Sequence, residues 1–89
     1  MKNKESKKWF VYIVRCADDS LYTGITTDVS RREAEHNNDK LGAKYTRARR
    51  PVSVVYQESW ESRSEATKRE IEIKKMKKVS KEKLLESNK

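Results

Sequence analysis

An arginine and the single histidine of the chain are spaced so that one helix would present both along one face. Val29, Arg32 and His36 follow one another at intervals of three and four residues, which places them on one helical stripe. Val29 is expected to face a sheet, so Arg32 should lie near that sheet, where a guanidinium needs an anionic partner or solvent. A guanidinium matches a phosphate well, and the imidazole one turn later can accept a proton or contact phosphate. The alternative is a solvated basic face, which we expect for Arg31.

A glutamate in the second half of the chain falls among positions that should face a core. Ala66 and Ile73 form an apolar stripe at helical spacing, and Glu70 lies between them. A half-buried carboxylate requires a cation. That cation is either Arg32, in a structural ion pair, or a divalent metal ion bound by carboxylate and water.

Two tyrosines occupy strand-like runs on either side of a turn. Side chains alternate along a strand, and opposed residues share a face. A loop with an odd number of residues, such as 17–19, therefore places Tyr12 opposite Gly24, with Tyr22 one diagonal step away on the same face. A two-residue turn would put the tyrosines on opposite faces. We predict the odd loop; the alternative role for both tyrosines is that of ordinary strand aromatics.

Three strands and three helices are predicted to position these residues. Runs rich in β-branched and aromatic residues predict strands over 9–14, 21–26 and 52–57, the first being apolar on both faces and hence central. Helices are predicted over 29–38, from about 62 to 77, and over 81–86. Their expected caps are Asp28 or a Ser30–Glu33 capping box, then Ser62 or Ser64, then Ser80. The order β-β-α-β-α-α predicts a small α/β fold, a three-stranded antiparallel sheet flanked by helices.

Composition limits the chain to one basic domain. Its 89 residues suffice for one domain over 9–87, after a disordered basic N-terminal arm over 1–8. The net charge of +8 favours a polyanionic partner. No apolar run approaches the roughly 18 residues of a membrane span, and no signal segment is recognisable, so we expect a cytoplasmic protein without membrane contact. The single cysteine, Cys16, is expected to be a small buried hydrophobe.

In this order, these residues resemble the GIY-YIG nuclease family. Phe10-Val11-Tyr12 stands where that family has Gly-Ile-Tyr, and Tyr22-Thr23-Gly24 where it has Tyr-Ile-Gly. Arg32 resembles the catalytic arginine of the family, His36 a position that often holds His or Tyr, and Glu70 the metal-binding glutamate. The resemblance covers residues 9–78 and is closest to the small stand-alone, UPF0213-like branch. Phenylalanine and threonine replace the motif glycine and isoleucine, which weakens any inference about substrate preference.

The resemblance implies metal-dependent hydrolysis of a phosphodiester in DNA. Glu70 would hold one divalent ion, Mg²⁺ or Mn²⁺, which neutralises developing charge. Arg32 would stabilise the charged transition state. Tyr12 or Tyr22 would orient or deprotonate the attacking water. His36 is the alternative base, since an unperturbed imidazole titrates nearer neutral pH, and the sequence does not rank the two.

A basic loop over 39–51 is predicted to contact the nucleic-acid backbone, although such a loop can also be merely solvated. Its candidate contact residues include one aromatic side chain, Tyr45, that could stack on a base. The nucleic-acid-binding residues predicted here are Lys44, Tyr45, Arg47, Arg49 and Arg50, beside Lys40 in the same loop. Gly24 is expected either to leave room over Tyr12 for the phosphate backbone or to serve as a packing glycine.

The first hypothesis for function is therefore a small, structure-directed DNA endonuclease. The second is a non-catalytic nucleic-acid-binding module of the same fold, and the third is an accessory protein bound to RNA or the ribosome. DNA is favoured over RNA. Since the fold uses nearly all of the chain, we expect weak sequence preference and a partner protein that selects the target.

Overall fold

The computed structural model describes residues 8–38 and 42–87, so the predicted arm, apart from Lys8, lies outside the described residues. Three strands form the sheet: β1 (Trp9–Arg15), β2 (Leu21–Thr26) and β3 (Ser53–Trp60). The helices described are α1 (Val29–Asn38), α2 (Lys44–Arg47), α3 (Arg63–Lys74) and α4 (Lys78–Ser87). The predicted fold class and element order are confirmed, with one addition: the basic loop contains the one-turn helix α2. Within this part of the chain, no helix combines the length and apolar character needed to cross a membrane.

The sheet is antiparallel with the order β2-β1-β3, so β1 is central, as predicted. Its two faces serve two separate cores. Val11 and Ile13 belong to a cluster with residues of α3 and α4, including Ala66, Ile73 and Leu85. Tyr12 and Val14 belong to the opposite cluster, which includes Cys16 and the partly buried Val29 of α1. Helices therefore cover both faces, and Tyr12 faces α1.

The β1–β2 hairpin has the predicted odd loop. The Cys16 N–H donates to the Ser20 carbonyl at 2.8 Å, which leaves residues 17–19 as the loop. Asp19 adopts the left-handed conformation with φ 71°, a conformation that Asn and Asp tolerate better than most residues. This register pairs Tyr12 with Gly24, as predicted, and puts Tyr22 on the same face.

The N-terminal cap of the first helix is one of the two alternatives predicted. Asp28 caps α1, accepting a hydrogen bond from the Arg31 N–H at 3.0 Å. The predicted Ser30–Glu33 capping box is wrong, because Ser30 already lies inside the helix. The Glu33 carboxylate instead accepts the Val54 N–H of β3 at 2.8 Å and so joins α1 to the sheet.

The bounds of β3, α3 and α4 differ from the predictions, whereas α1 has the bounds predicted for it. β3 runs to Trp60, because Trp60 pairs with Trp9 across the sheet. Ser62 caps α3, but this helix ends at Lys74 rather than near 77. The predicted Ser80 cap is wrong: the Lys77 carbonyl accepts the Ser80 and Lys81 N–H groups at 3.0 and 3.1 Å, so α4 is already under way.

A tertiary contact holds α4 in place. The Arg15 guanidinium of β1 donates to both carboxylate oxygens of Glu82, at 2.9 and 2.7 Å. Leu85, one turn further along α4, is buried in the core shared by α3 and the sheet. A bidentate pair and a buried leucine need long-range packing to form, which explains why local capping rules misplaced this helix.

Substitution of Ile73 tests the core beneath α3. Ile73 is fully buried, whereas Ile71 in the same helix is 47% exposed. Ile73→Ala is expected to lower the free energy of unfolding by about 2–5 kcal/mol, because it leaves a cavity in a packed core. Ile71→Ala removes the same atoms at a cost of about 0.5 kcal/mol. Urea unfolding followed by tryptophan fluorescence measures both, and equal losses would contradict the assignment of the core.

Candidate active site

The site is organised around a buried hydrogen bond between the sheet and α1. The Tyr12 hydroxyl lies 2.7 Å from His36 Nε2, and both side chains are essentially inaccessible, 1% and 0% exposed. Tyr12 reaches α1 because it points from the central strand to the α1 face. His36 meets it because it continues the stripe that starts at Val29. The predicted stripe therefore brings the imidazole to the tyrosine.

Tyr22 adds a second aromatic contact to the same imidazole. Its ring centroid lies 5.5 Å from that of His36, in an edge-on arrangement. Tyr45 stacks on Tyr22 at 5.7 Å, and the Arg49 guanidinium lies 3.9 Å from the Tyr45 ring centroid. Tyr45, predicted to stack on a base, thus packs on a predicted catalytic tyrosine.

The other side of the imidazole is held by the segment that contains α2. Thr46 Oγ1 lies 2.8 Å from His36 Nδ1, and the Ala43 N–H donates to the same nitrogen at 3.3 Å. This close approach requires a glycine: a Cβ at Gly42 would lie 2.7 Å from the Glu35 carbonyl oxygen. Sequence reasoning missed both Thr46 and Gly42. The only signal was that Gly42 is one of two glycines in the chain.

Burial keeps His36 neutral. The pKa of His36 is lowered to about 4, chiefly because the ring is removed from water; the guanidinium groups of Arg32 and Arg50 add to this lowering, and Glu35 opposes it. At neutral pH the imidazole therefore carries one proton, and each ring nitrogen is either a donor or an acceptor.

Arg32 lies beside the tyrosine, as its place on the stripe predicted. Its guanidinium donates to the Glu35 carboxylate at 2.8 Å, which supplies an anionic partner, and its positive charge acts on the Tyr12 hydroxyl. The side chain is 24% exposed, so part of the guanidinium faces solvent. This position suits an arginine that meets a phosphate arriving from solvent.

The pKa of Tyr12 is raised to about 12. Burial is the largest cause; the positive charge of Arg32 opposes it, and the charges of Tyr22 and Glu70 add to it. The Tyr12 hydroxyl is therefore protonated at neutral pH. The negative charge of Glu70, on α3, thus acts on Tyr12 as well.

Glu70 is half-buried, as predicted, but one of the two alternatives for its cation, an ion pair with Arg32, is wrong. Its carboxylate lies 3.4 Å from Lys74 Nζ, one turn along α3, while Arg32 pairs with Glu35. The Lys74 ammonium also lies 6.0 Å from the centroid of the Tyr22 ring. Lys74 follows Glu70 by four residues on the same helix, so the helix itself brings the two side chains together. Lys74 is therefore the cation that pairs with Glu70.

The carboxylate of Glu70 suits a hydrated hard cation better than the described residues suit a closed transition-metal site. No group of three His, Cys, Asp or Glu side chains able to hold a metal ion occurs among residues 8–38 and 42–87. A structural zinc ion requires four such ligands. Mg²⁺ keeps several waters and needs only one or two carboxylates beside substrate phosphates. Glu70, 17% exposed at its side chain, can supply one such carboxylate.

Gly24 is required by the tyrosine itself. A Cβ at this position would lie 2.5 Å from the Tyr12 hydroxyl oxygen and 2.7 Å from Cζ. The ring of Tyr12 therefore fills the space that we expected a phosphate backbone to use. Of the two predicted roles for Gly24, the structure supports the packing role.

The five residues predicted to bind nucleic acid divide into two sets. Lys44 and Arg47 are exposed on α2. Tyr45, Arg49 and Arg50 contact the protein: Arg49 pairs with Asp18 at 3.0 Å, and Arg50 donates to the carbonyl of His36. Lys40 lies outside the described residues. Contact with nucleic acid stays a prediction, for which Lys44 and Arg47 are the most accessible cations of the five.

The fold agrees with what comparison with known proteins shows. A family model of the GIY-YIG catalytic domain matches residues 8–83. The chain is 55% identical over 80 residues to the UPF0213 protein DP2720 of Desulfotalea psychrophila, covering 90% of this chain and 73% of the relative. It is 57% identical over 79 residues to the UPF0213 protein SH2523 of Staphylococcus haemolyticus, covering 89% and 95%. The chain therefore belongs to the GIY-YIG family, a family of nucleases that act on nucleic acids.

Two solution NMR structures share this fold. The UPF0213 protein BH0048 from Bacillus halodurans is 43% identical, with a TM-score of 0.57 over 89% of this chain and 83% of its own. The protein EF2693 from E. faecalis is 44% identical, with a TM-score of 0.60 over 98% and 90%. The resemblance to the small stand-alone branch is thus confirmed, while the roles of individual site residues stay predictions.

Substitution of Gly24 tests the close approach of Tyr12. Gly24→Ala is expected to lower the free energy of unfolding by about 1–3 kcal/mol, because the new Cβ forces the Tyr12 ring out of place. In a Tyr12→Leu background the same substitution should cost less, since the atoms that clash are gone. A double-mutant cycle by urea unfolding measures this coupling. An equal cost in both backgrounds would show that the glycine is needed for another reason.

The depressed pKa of His36 predicts a pH dependence of stability. Below about pH 6.5 the unfolded chain binds a proton at this ring and the folded chain does not. The free energy of unfolding therefore decreases as the pH is lowered. The loss reaches about 3 kcal/mol near pH 4. His36→Gln should lack this component, whatever its absolute stability. NMR titration of the single histidine gives its pKa directly, and a midpoint near 6.5 would refute the prediction.

Proposed function

We propose that this protein is a divalent-metal-dependent endonuclease that hydrolyses phosphodiester bonds in DNA and acts in the cytoplasm. The observation that carries the proposal is the buried Tyr12–His36 hydrogen bond with Arg32 and Glu70 beside it. Burying a phenol and an imidazole costs free energy that an apolar pair would not cost. Polar groups with strongly shifted pKa values in one place are typical of catalytic sites. Family membership supports the same class of reaction.

The residues of the site have complementary roles in this reaction. Arg32, partly exposed and held by Glu35, would bind the scissile phosphate and stabilise the negative charge that develops on it. Tyr12 or Tyr22 would orient the attacking water. Glu70 would hold Mg²⁺ or Mn²⁺, which supplies charge neutralisation at the phosphate when bound.

Burial shifts the pKa values of Tyr12 and His36 in opposite directions, and each shift limits that group as a base for the attacking water. The pKa of Tyr12, raised to about 12, means that this hydroxyl acts as a base only if positive charge arrives with the substrate complex. His36, with its pKa lowered to about 4, is neutral but a weak base at neutral pH. Arg32 is the cation already beside both groups.

The proposed substrate is DNA with a structural irregularity rather than a defined base sequence. The exposed cations of the predicted binding set lie on α2, a single helical turn. Contacts from such a short element to phosphates fix the position of a backbone but carry no base sequence directly. A partner protein would then direct the nuclease to its target.

One observation favours the second hypothesis, a nucleic-acid-binding module without catalysis. Lys74 already lies 3.4 Å from Glu70, so the carboxylate has a cation without a metal ion. In an active enzyme the metal ion must compete with this ammonium. Activity as a function of metal ion, in wild type and in a Lys74→Gln variant, therefore bears on both hypotheses.

A nicking assay on flap, branched and duplex DNA tests the proposed function. With Mg²⁺ or Mn²⁺, wild type should cleave, and a chelator should abolish cleavage. Glu70→Gln and Arg32→Gln should each lower the rate by about 10²–10³-fold, as expected when a group that stabilises the transition state is removed. The matched controls are Glu72→Gln and Arg31→Gln, exposed neighbours on the same helices, which should cleave within a few-fold of wild type.

The outcomes separate the hypotheses. Cleavage by Glu70→Gln and Arg32→Gln equal to wild type would refute the endonuclease. A wild type that binds DNA without cleaving it, with an affinity that falls steeply as salt rises, would support the binding module. Tighter binding to RNA than to DNA would favour the third hypothesis.

A further inference from the structure

A buried hydroxyl on α2 has no role in the mechanism above. Thr46 is fully buried, and its Oγ1 lies 2.8 Å from His36 Nδ1 and 2.9 Å from the Ala43 carbonyl oxygen. The hydroxyl has a single proton, so it donates to only one of these two acceptors. Which of them receives the proton decides what the imidazole can do at its other nitrogen.

The backbone of Ala43 decides between the two arrangements. Its N–H points at Nδ1 from 3.3 Å. If Nδ1 carried a proton, two N–H groups would face each other in a buried place, which is unfavourable. If Nδ1 is unprotonated, its single lone pair is shared by two donors, the Thr46 hydroxyl at 2.8 Å and this N–H at 3.3 Å.

The carbonyl of Ala43 does not need the hydroxyl proton. It already accepts the backbone N–H groups of Thr46 and Arg47, at 3.1 and 3.2 Å. Donation from Thr46 to Nδ1 therefore leaves the polar groups in this turn satisfied, which buried groups require. The opposite arrangement would take away the one acceptor that the Ala43 N–H has among the described residues.

We propose that Thr46 is a positioning residue that holds His36 in the tautomer protonated at Nε2. His36 then donates to the Tyr12 hydroxyl oxygen across the 2.7 Å contact. The Tyr12 hydroxyl oxygen accepts that proton, so the tyrosine's own proton points away from His36. His36 thus stabilises negative charge on the Tyr12 oxygen and does not receive the tyrosine proton.

The tautomer can be read without any assay of activity. His36 is the only histidine, so long-range ¹⁵N–¹H correlation spectra of labelled protein at neutral pH report on one ring. We expect an unprotonated Nδ1 and a protonated Nε2. Thr46→Val keeps the shape of the side chain but removes the hydroxyl donor. It should move the Nδ1 resonance towards that of a ring nitrogen that accepts fewer hydrogen bonds, and Thr46→Ser should restore the wild-type resonance.

Thr23→Val is the matched control. Thr23 is also buried, but its hydroxyl finds no hydrogen-bond partner among the described residues. Thr23 pairs with Ile13 across the sheet, so its side chain lies on the sheet face away from His36. The control should leave both ring resonances in place. A proton on Nδ1 in wild type, or an Nδ1 resonance unmoved by Thr46→Val, would overturn the proposal.

The kinetic consequence rests on the proposed function. If the protein cleaves DNA, Thr46→Val should lower kcat about tenfold at nearly unchanged KM, because one hydrogen bond that orients the ring is lost. Thr46→Ser should recover most of the rate, and Thr23→Val should match wild type. If wild type does not cleave but the spectra show the Nε2–H tautomer, the proposed function fails while the role of Thr46 stands. An unchanged kcat in a cleaving Thr46→Val enzyme would count against the positioning role.

Discussion

The hydrogen bond between Tyr12 and His36 is the contact on which the arrangement of this small fold depends. It joins the central strand to α1 at a buried position, and burying two polar rings is tolerated only when their polar atoms have partners. Other residues of the site provide the space and the partners that this buried contact needs. Gly24 gives the Tyr12 ring space, Gly42 lets α2 approach, and Thr46 reaches the far side of the imidazole.

The same requirement explains why α2, a single turn of helix, is placed where it is. A four-residue helix has little stability of its own. It is held by the buried Thr46 and by the stack of Tyr45 on Tyr22, and it presents Lys44 and Arg47 to solvent. One short element therefore supports the imidazole from inside and offers positive charge outside, which links the buried chemistry of the site to the surface that a polyanion would meet.

Patterns of local spacing were sufficient for much of the fold. The hairpin register followed from alternation and an odd loop, and it correctly paired Tyr12 with Gly24. The buried positions Ala66 and Ile73 followed from helical periodicity. Local rules failed where a long-range contact competed with them: Glu33 bonds to β3 rather than to its own helix end, and the Arg15–Glu82 pair accompanies an earlier start of α4.

Alternation, periodicity and motif order along the chain were enough to predict the fold class, the family and the meeting of Tyr12 with Arg32 and His36, because these are properties of the chain read in one dimension. The tertiary structure alone decided how those side chains are paired: Glu70 with Lys74, Arg32 with Glu35, and His36 between Tyr12 and Thr46. Hydrogen-bond partners and pKa values depend on distance and burial in three dimensions. Spacing along the chain could bring the groups near one another, but only packing could settle which atom faces which.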